Sequence, residues 1–498
     1  MMEYQSTRNP DLHATAAQAV LQGLAPDGGL YTMPSLAEIK LDWQALLPLD
    51  TLSMAREILS ALLPSFDKKE MDALVHAAYA NKFETPDLTP TVAVGDDAVL
   101  ELFRGPTSAF KDVALSMLPR LMTAAREKCG VSDEILILTA TSGDTGKAAM
   151  AGFQDVPGTK IIVFYPYGGV SAVQQAQMAT QEGANVAVCA IEGNFDDAQS
   201  SVKQIFTDPK LKEKLGEQGM LFSSANSINW GRLLPQIVYY VYAYLELVRQ
   251  GKRILGESMD VVVPTGNFGN ILAAYYARKM GLPIRKLVCA SNANNVLTDF
   301  IRTGTYDLRR EFHATASPSM DILISSNLER LLYDLCGEDS ETLSGWMKDL
   351  AETGVYAVGD AVREKVQQLF YGGFCGDGST FETIRELWDT EGYLCDTHTA
   401  VAVDVYRQYR GQSQEGAGPT VIASTANPYK FSGSVLEALQ AGLLTGDDFQ
   451  NLEALERFTG VQAPAQLRAL REKPERFTQV IPREGAAAYV LEALGIPS

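Results

Sequence analysis

Histidine is scarce in this chain. Its four copies among 498 residues (His13, His76, His313 and His398) are scattered along the sequence, which argues against a hydrolytic triad or a histidine-built metal centre. Cysteine is equally thin. The six residues Cys129, Cys189, Cys289, Cys336, Cys375 and Cys395 lie far apart with no C-x-x-C pair. Cys189 and Cys289 sit inside apolar runs, as reduced, buried thiols do, so neither a disulfide framework nor a zinc site is expected. No stretch approaches the roughly 20 apolar residues that a membrane helix needs. Residues 1–23 mix charge and polarity where a secretory signal would be apolar. Positive charge is also in short supply: 42 Lys and Arg stand against 61 Asp and Glu, a net charge of −19. Such a surface disfavours non-specific contact with nucleic acid or anionic lipid. The composition reads as a cytoplasmic protein without membrane or nucleic-acid partners, in which any anionic ligand must be gathered by local donors.

What the chain does have is length and core. With 498 residues, 46% of them hydrophobic, it is expected to hold roughly three domains. From residue 133 onward, short apolar runs alternate with helical patterns. Strands are expected at 134–140, 160–165, 185–191, 260–263, 286–290 and 420–423, separated by helices over 147–153, 172–182, 196–206, 233–248 and 271–280. Continuous apolar strands alternating with helices predict an α/β fold of parallel sheet covered on both faces. Residues 1–88 form a mainly helical N-terminal region and 434–498 a helical tail. The Gly/Ser/Gln-rich run 411–418 reads as a mobile surface loop.

The segment Gly105-Pro106-Thr107-Ser108-Ala109-Phe110-Lys111-Asp112 places one lysine behind an aromatic at the start of an amphipathic helix carrying Ala114, Leu115, Leu118, Leu121 and Met122. By itself Lys111 reads as a solvated first-turn residue. Held among apolar groups it would instead lose its charge readily and become a nucleophilic amine suited to Schiff-base chemistry. Three glycine- or hydroxyl-rich turns accompany it. Gly266-Asn267-Phe268-Gly269-Asn270 links a strand to a helix, where converging N–H groups and the helix dipole make an anion cradle; an ordinary turn is the alternative. Thr141-Ser142-Gly143-Asp144-Thr145-Gly146 could hold a carboxylate or phosphate, or simply cap its helix. It fails the P-loop pattern in glycine spacing and in Ala148. Asn226-Ser227-Ile228-Asn229-Trp230-Gly231-Arg232 offers amides, a hydroxyl and a guanidinium suited to phosphate, or by itself simply helix capping with a surface arginine. Finally, Thr425 follows an expected strand at the end where α/β sheets bind ligands, an ordinary turn being the alternative, and His398 reads as structural.

Together these segments resemble the threonine synthase family in its long-chain form, pyridoxal-phosphate enzymes of fold type II. The resemblance also rests on Ser6-Thr7-Arg8, on Gly23 to Tyr31, on Ser317-Pro318-Ser319-Met320-Asp321-Ile322, on Ser325 to Arg330 and on Ser424 to Phe431. One departure is Thr397, where the family commonly carries proline. The resemblance implies a catalytic core over 89–433, with a smaller lobe of roughly 133–230 set into a larger one. It implies pyridoxal 5'-phosphate bound covalently through Lys111, which then serves as the proton-transfer base. Phe110 would lie beside the pyridine ring, and Gly266, Asn267, Phe268, Gly269 and Asn270 around the cofactor phosphate. Thr425 would face the ring nitrogen. Asp144 would face the ring hydroxyl, often an asparagine in relatives, so an aspartate there needs a proton or a nearby charge. Ser142, Thr145, Asn226, Ser227 and Arg232 would receive the substrate, O-phospho-L-homoserine. The implied activity is synthesis of L-threonine. A phospholyase releasing 2-oxobutyrate, a dehydratase on the same fold and a non-catalytic cofactor carrier are the alternatives. No metal is expected, and the oligomeric state is left open.

Overall fold

The computed structural model describes residues 4–141, 143–412 and 420–497, apart from the side chains of residues 195 and 196. Two sheets carry the architecture. The larger has six strands in the order Phe370–Phe374, Ile284–Ser291, Met259–Pro264, Thr420–Ser424, Asp97–Glu101 and Thr91–Val94. Its neighbours are parallel except for the last pair, an antiparallel hairpin. The smaller is parallel throughout, in the order Val480–Ile481, Val186–Ile191, Thr159–Pro166, Glu134–Ala140 and Met220–Ser223. The central strand Met259–Pro264 is buried at every position, as its unbroken M-D-V-V-V-P run requires of a strand covered on both faces. The helix Thr397–Gln412 packs on that strand and on Ile284–Ser291.

The helix Lys111–Lys128 is a core helix, with twelve buried residues on all sides of its cylinder. It packs along the helix Asp144–Phe153. The approach is closest at Gly152, where a Cβ atom would lie 1.9 Å from the Leu115 carbonyl oxygen. Only glycine permits that contact, which sets the helix bearing Lys111 against the helix bearing Asp144.

The strands expected from the apolar runs are present, with ends shifted by a residue or two. Phe370–Phe374 and the hairpin Thr91–Val94 with Asp97–Glu101 were not expected. The first reads F-Y-G-G-F, glycine being unfavourable in strands. Here the glycines admit close neighbours: a Cβ would sit 3.1 Å from Thr298 Cα at Gly372 and 2.7 Å from Val405 Cγ1 at Gly373. The ends carry short strands beside their helices. Beside its helices the N-terminal region carries a small sheet of His13–Ala14, Tyr4–Ser6 and Tyr31–Thr32. The C-terminal tail is not purely helical, since Val480–Ile481 extends the smaller sheet. Of the expected loop at 411–418, residues 411 and 412 close the helix Thr397–Gln412, and the remainder lies outside the described residues. All six cysteines are free thiols. Among the described residues no helix is long and apolar enough to cross a membrane, and no cluster of side chains could hold a metal ion.

Candidate active site

The segment before Lys111 is laid along the end of strand Thr420–Ser424. Phe110 N–H donates to the Thr425 carbonyl at 2.8 Å, and Asn427 N–H to the Ser108 carbonyl at 3.0 Å. The Asp112 carboxylate folds the loop back by accepting the Thr107 N–H at 2.8 Å and the Thr107 hydroxyl at 2.5 Å. Gly105 is obligatory there, because a Cβ would meet the Asp112 side chain at 2.5 Å. Lys111 is thereby the first residue of its helix and is buried. Its Nζ lies 3.3 Å from Ser319 Oγ, 3.8 Å from Asp144 Oδ2 and 5.3 Å from the centre of the Phe110 ring. Burial lowers the pKa of the amine to about 8; Asp144 opposes that shift, while Lys430 and Arg232 reinforce it.

Thr141 shapes the second loop: its hydroxyl oxygen accepts N–H bonds from Gly143 at 3.0 Å and Gly146 at 2.9 Å. Gly143, at φ +137, passes so near Gln174 that a Cβ would lie 2.3 Å from its amide nitrogen. Asp144 then opens the helix Asp144–Phe153 with its side chain buried. Oδ1 takes the Lys430 ammonium at 2.5 Å and the Gln174 amide at 3.1 Å, and Oδ2 faces Ser319 Oγ at 3.5 Å. Burial alone would raise this carboxyl, but Lys430 and Lys111 hold it well below the usual carboxylate range. The charge that an aspartate at this position needs is therefore supplied by Lys430. Thr145 is half-buried beside it, and the first-turn N–H groups of Asp144 and Thr145 have no acceptor among the described residues. Ser142 lies outside the described residues.

The third loop follows strand Met259–Pro264. Phe268 adopts the left-handed conformation (φ +65) just before the helix Gly269–Lys279. Among the described residues, none of the N–H groups of Gly266, Asn267, Phe268, Gly269 and Asn270 donates to a protein acceptor. Gly266 lets the loop approach the lysine's surroundings, because a Cβ there would lie 2.8 Å from the Ser319 carbonyl oxygen. Buried Asn270 accepts both the Tyr239 hydroxyl, at 2.9 Å, and the Tyr240 hydroxyl at Oδ1, while its Nδ2 donor has no partner among the described residues. Free N–H groups at a helix N-terminus with an orphaned buried amide fit a phosphate group.

Arg232 is buried, donates to the Ala225 carbonyl at 2.9 Å, and meets no carboxylate among the described residues. Burial lowers its pKa to about 10. Ser227 is half-buried and donates to the amide oxygen of exposed Asn226 at 3.1 Å. Segment 226–232 is stitched to the cradle by residues given no role from sequence. Asn327 Nδ2 donates to the Asn267 carbonyl at 3.1 Å and to the Ser227 carbonyl at 3.3 Å, while buried Arg330 reaches the Ile228 carbonyl at 2.6 Å. The only signal for them was their place in the quoted segment 325–330. Thr425 is buried with its hydroxyl unengaged by any described residue. His398 is buried outside the ring of donors and holds the Ser319 backbone. The departure at Thr397 is accommodated by a bond that proline could not make, from its hydroxyl to the Ala316 carbonyl at 2.7 Å.

A buried amine of low pKa beside an unclaimed phosphate cradle is the arrangement of a pyridoxal-phosphate site, and residues 98–425 match the family described as pyridoxal-phosphate dependent enzyme. Residues 3–79 match the threonine synthase N terminus and 399–489 the threonine synthase C-terminal family. The chain belongs to the threonine synthase family. It is 37% identical to threonine synthase of Pseudomonas aeruginosa, over 97% of this chain and 96% of that protein. It is 40% identical to human threonine synthase-like 1 over 85% of this chain, and that match spans 58% of the human protein's length. Two solved structures superpose over 99% of both chains. Pyridoxal-phosphate-bound threonine synthase from Brucella melitensis has a TM-score of 0.87 at 35% identity, and yeast threonine synthase 0.88 at 31%.

Proposed function

We propose that this protein converts O-phospho-L-homoserine and water into L-threonine and phosphate. The observation that carries this reading is Arg232, a buried guanidinium with no carboxylate partner among the described residues, whose charge helps lower the pKa of Lys111. An isolated buried cation is costly, and a phosphate-bearing substrate relieves that cost. When bound, pyridoxal phosphate supplies an electron sink for the carbon next to the substrate's amino group.

The protein's own residues do the rest. Lys111 would hold the cofactor, with Phe110 packing beside its ring and Thr425 facing the ring nitrogen. The N–H groups of Gly266 to Asn270 would take the cofactor phosphate. A neutral hydroxyl at Thr425 does not enforce a protonated ring. Asp144, kept ionised by Lys430, would face the ring hydroxyl. Lys111 Nζ would accept the proton from the α-carbon and, after passing it on, the proton from the β-carbon, and would return one proton to the γ-carbon and finally one to the α-carbon. Asn226, Ser227 and Arg232 orient the phosphate that leaves from the γ-carbon, and water adds at the β-carbon. Ser142, Thr145 and the first-turn N–H groups of the helix Asp144–Phe153 bind the substrate carboxylate.

The test is product analysis after incubating the cofactor-loaded protein with O-phospho-L-homoserine. Threonine forming in step with phosphate supports the reading. Phosphate with 2-oxobutyrate would make the protein a phospholyase, and no phosphate release would refute the substrate.

A further inference from the structure

Lys430 is the one charged group at the lysine site with no role so far beyond its charge. It is 1% exposed, and among the described residues its Nζ touches the Asp144 carboxylate, at 2.5 Å, and the Thr107 carbonyl, at 3.1 Å. Asp144 thus has two ammonium neighbours at very different ranges, since Lys111 stands 3.8 Å from Oδ2. Gln174 fixes the asymmetry by donating to the same oxygen that Lys430 takes. A carboxylate facing one buried lysine would draw that lysine into a tight ion pair and hold it as an ammonium, which is not a nucleophile.

We propose that Lys430 is a positioning residue that occupies the Asp144 carboxylate and so leaves the Lys111 amine free to react. This rests on the reading of Lys111 as the cofactor-binding lysine. Lys111 also faces Arg232, Asp112 and Ser319, and Ser319 is held from behind by His398. Lys430 faces Asp112 and Lys147. None of these matches the carboxylate contact that Lys430 makes, so removing Lys430 leaves Lys111 as the nearest cation to Asp144.

The experiment follows covalent loading of the cofactor-free full-length chain with pyridoxal phosphate, read as the rate of appearance of the lysine-bound absorbance band between pH 6 and 10, with Lys111→Ala as the blank. In Lys430→Met the midpoint of the rate-against-pH curve is expected to rise by about one to two pH units. Loading near neutral pH then slows by roughly tenfold or more. Lys430→Arg, which keeps the charge, is expected to stay near the wild-type midpoint. Asp144→Asn/Lys430→Met is expected to return toward it, because no carboxylate remains to capture Lys111. This double variant and Lys430→Gln guard against misfolding of Lys430→Met, checked by circular dichroism. A Lys430→Met or Lys430→Gln midpoint equal to wild type overturns the proposal, as does a double variant that keeps a raised midpoint. A wild-type chain that gains no Lys111-dependent band overturns the reading of the site itself, a distinct result.

Discussion

His398 Nε2 accepts the backbone N–H of Ser319 at 3.1 Å while Nδ1 lies 2.6 Å from the Asp396 carboxylate. This pattern puts the ring proton on Nδ1 and makes the imidazole a strut between the helix Thr397–Gln412 and Ser319, whose hydroxyl touches Lys111. His398→Ala is expected to lower stability by about 1–3 kcal/mol, the range for a buried hydrogen-bonded group removed. It should leave the pH profile of turnover in place. Urea denaturation and a kcat/KM profile check this, and a displaced pH profile would make His398 an acid–base residue instead.

Arg232 separates stability from function. It is buried, burial lowers its pKa to about 10, and no carboxylate among the described residues compensates it. Arg232→Met is therefore expected to be no less stable than wild type without ligand, since an uncompensated buried charge is replaced by an apolar chain. Its kcat/KM for O-phospho-L-homoserine should fall by roughly a hundredfold or more, as when a buried charge contact is truncated. A stability loss with near-normal kinetics would show the arginine to be structural.

Lys111 couples stability to pH. Its folded pKa is lowered from 10.5 to about 8. Between those values the unfolded chain keeps the proton that the folded chain has released, so stability rises with pH across that window. Below it, the buried ammonium costs folding on the order of 3 kcal/mol relative to a neutral residue. Cofactor-free wild type is therefore expected to gain on Lys111→Met as pH goes from 8 to 10.5. Paired denaturation curves measure that difference, and a constant gap would mean that the Lys111 pKa is not depressed.

Gly152 holds the two helices of the site together. A Cβ would lie 1.9 Å from the Leu115 carbonyl, a backbone atom that cannot rotate aside. Gly152→Ala is expected to cost about 1–3 kcal/mol through overpacking. It should also weaken cofactor retention, because Lys111 and Asp144 begin the two helices being pushed apart. Thermal melts with and without pyridoxal phosphate check both effects.

The central strands were legible in the sequence because a strand buried on both faces must be a continuous apolar run, as Met259–Pro264 is. Phe370–Phe374 was not, because its glycines serve helix contacts that propensity does not register. At the site, Lys111 and the loops could be read locally, since each is a contiguous signature. Lys430 could not: it stands 286 residues after Asp144 in the sequence, and its own segment is held in the site by the pairing of 425–427 with 108–110. The same holds for Asn327 and Arg330, which lock two loops through backbone carbonyls. No residue type at the accepting positions announces such a bond.

The most direct test of the account is to reduce the pyridoxal-phosphate-loaded protein with borohydride, digest it and locate the pyridoxyl group by mass spectrometry. The expected result is a single modified peptide bearing the group on Lys111. Modification at Lys147, Lys430 or any other lysine with Lys111 unmodified would contradict it.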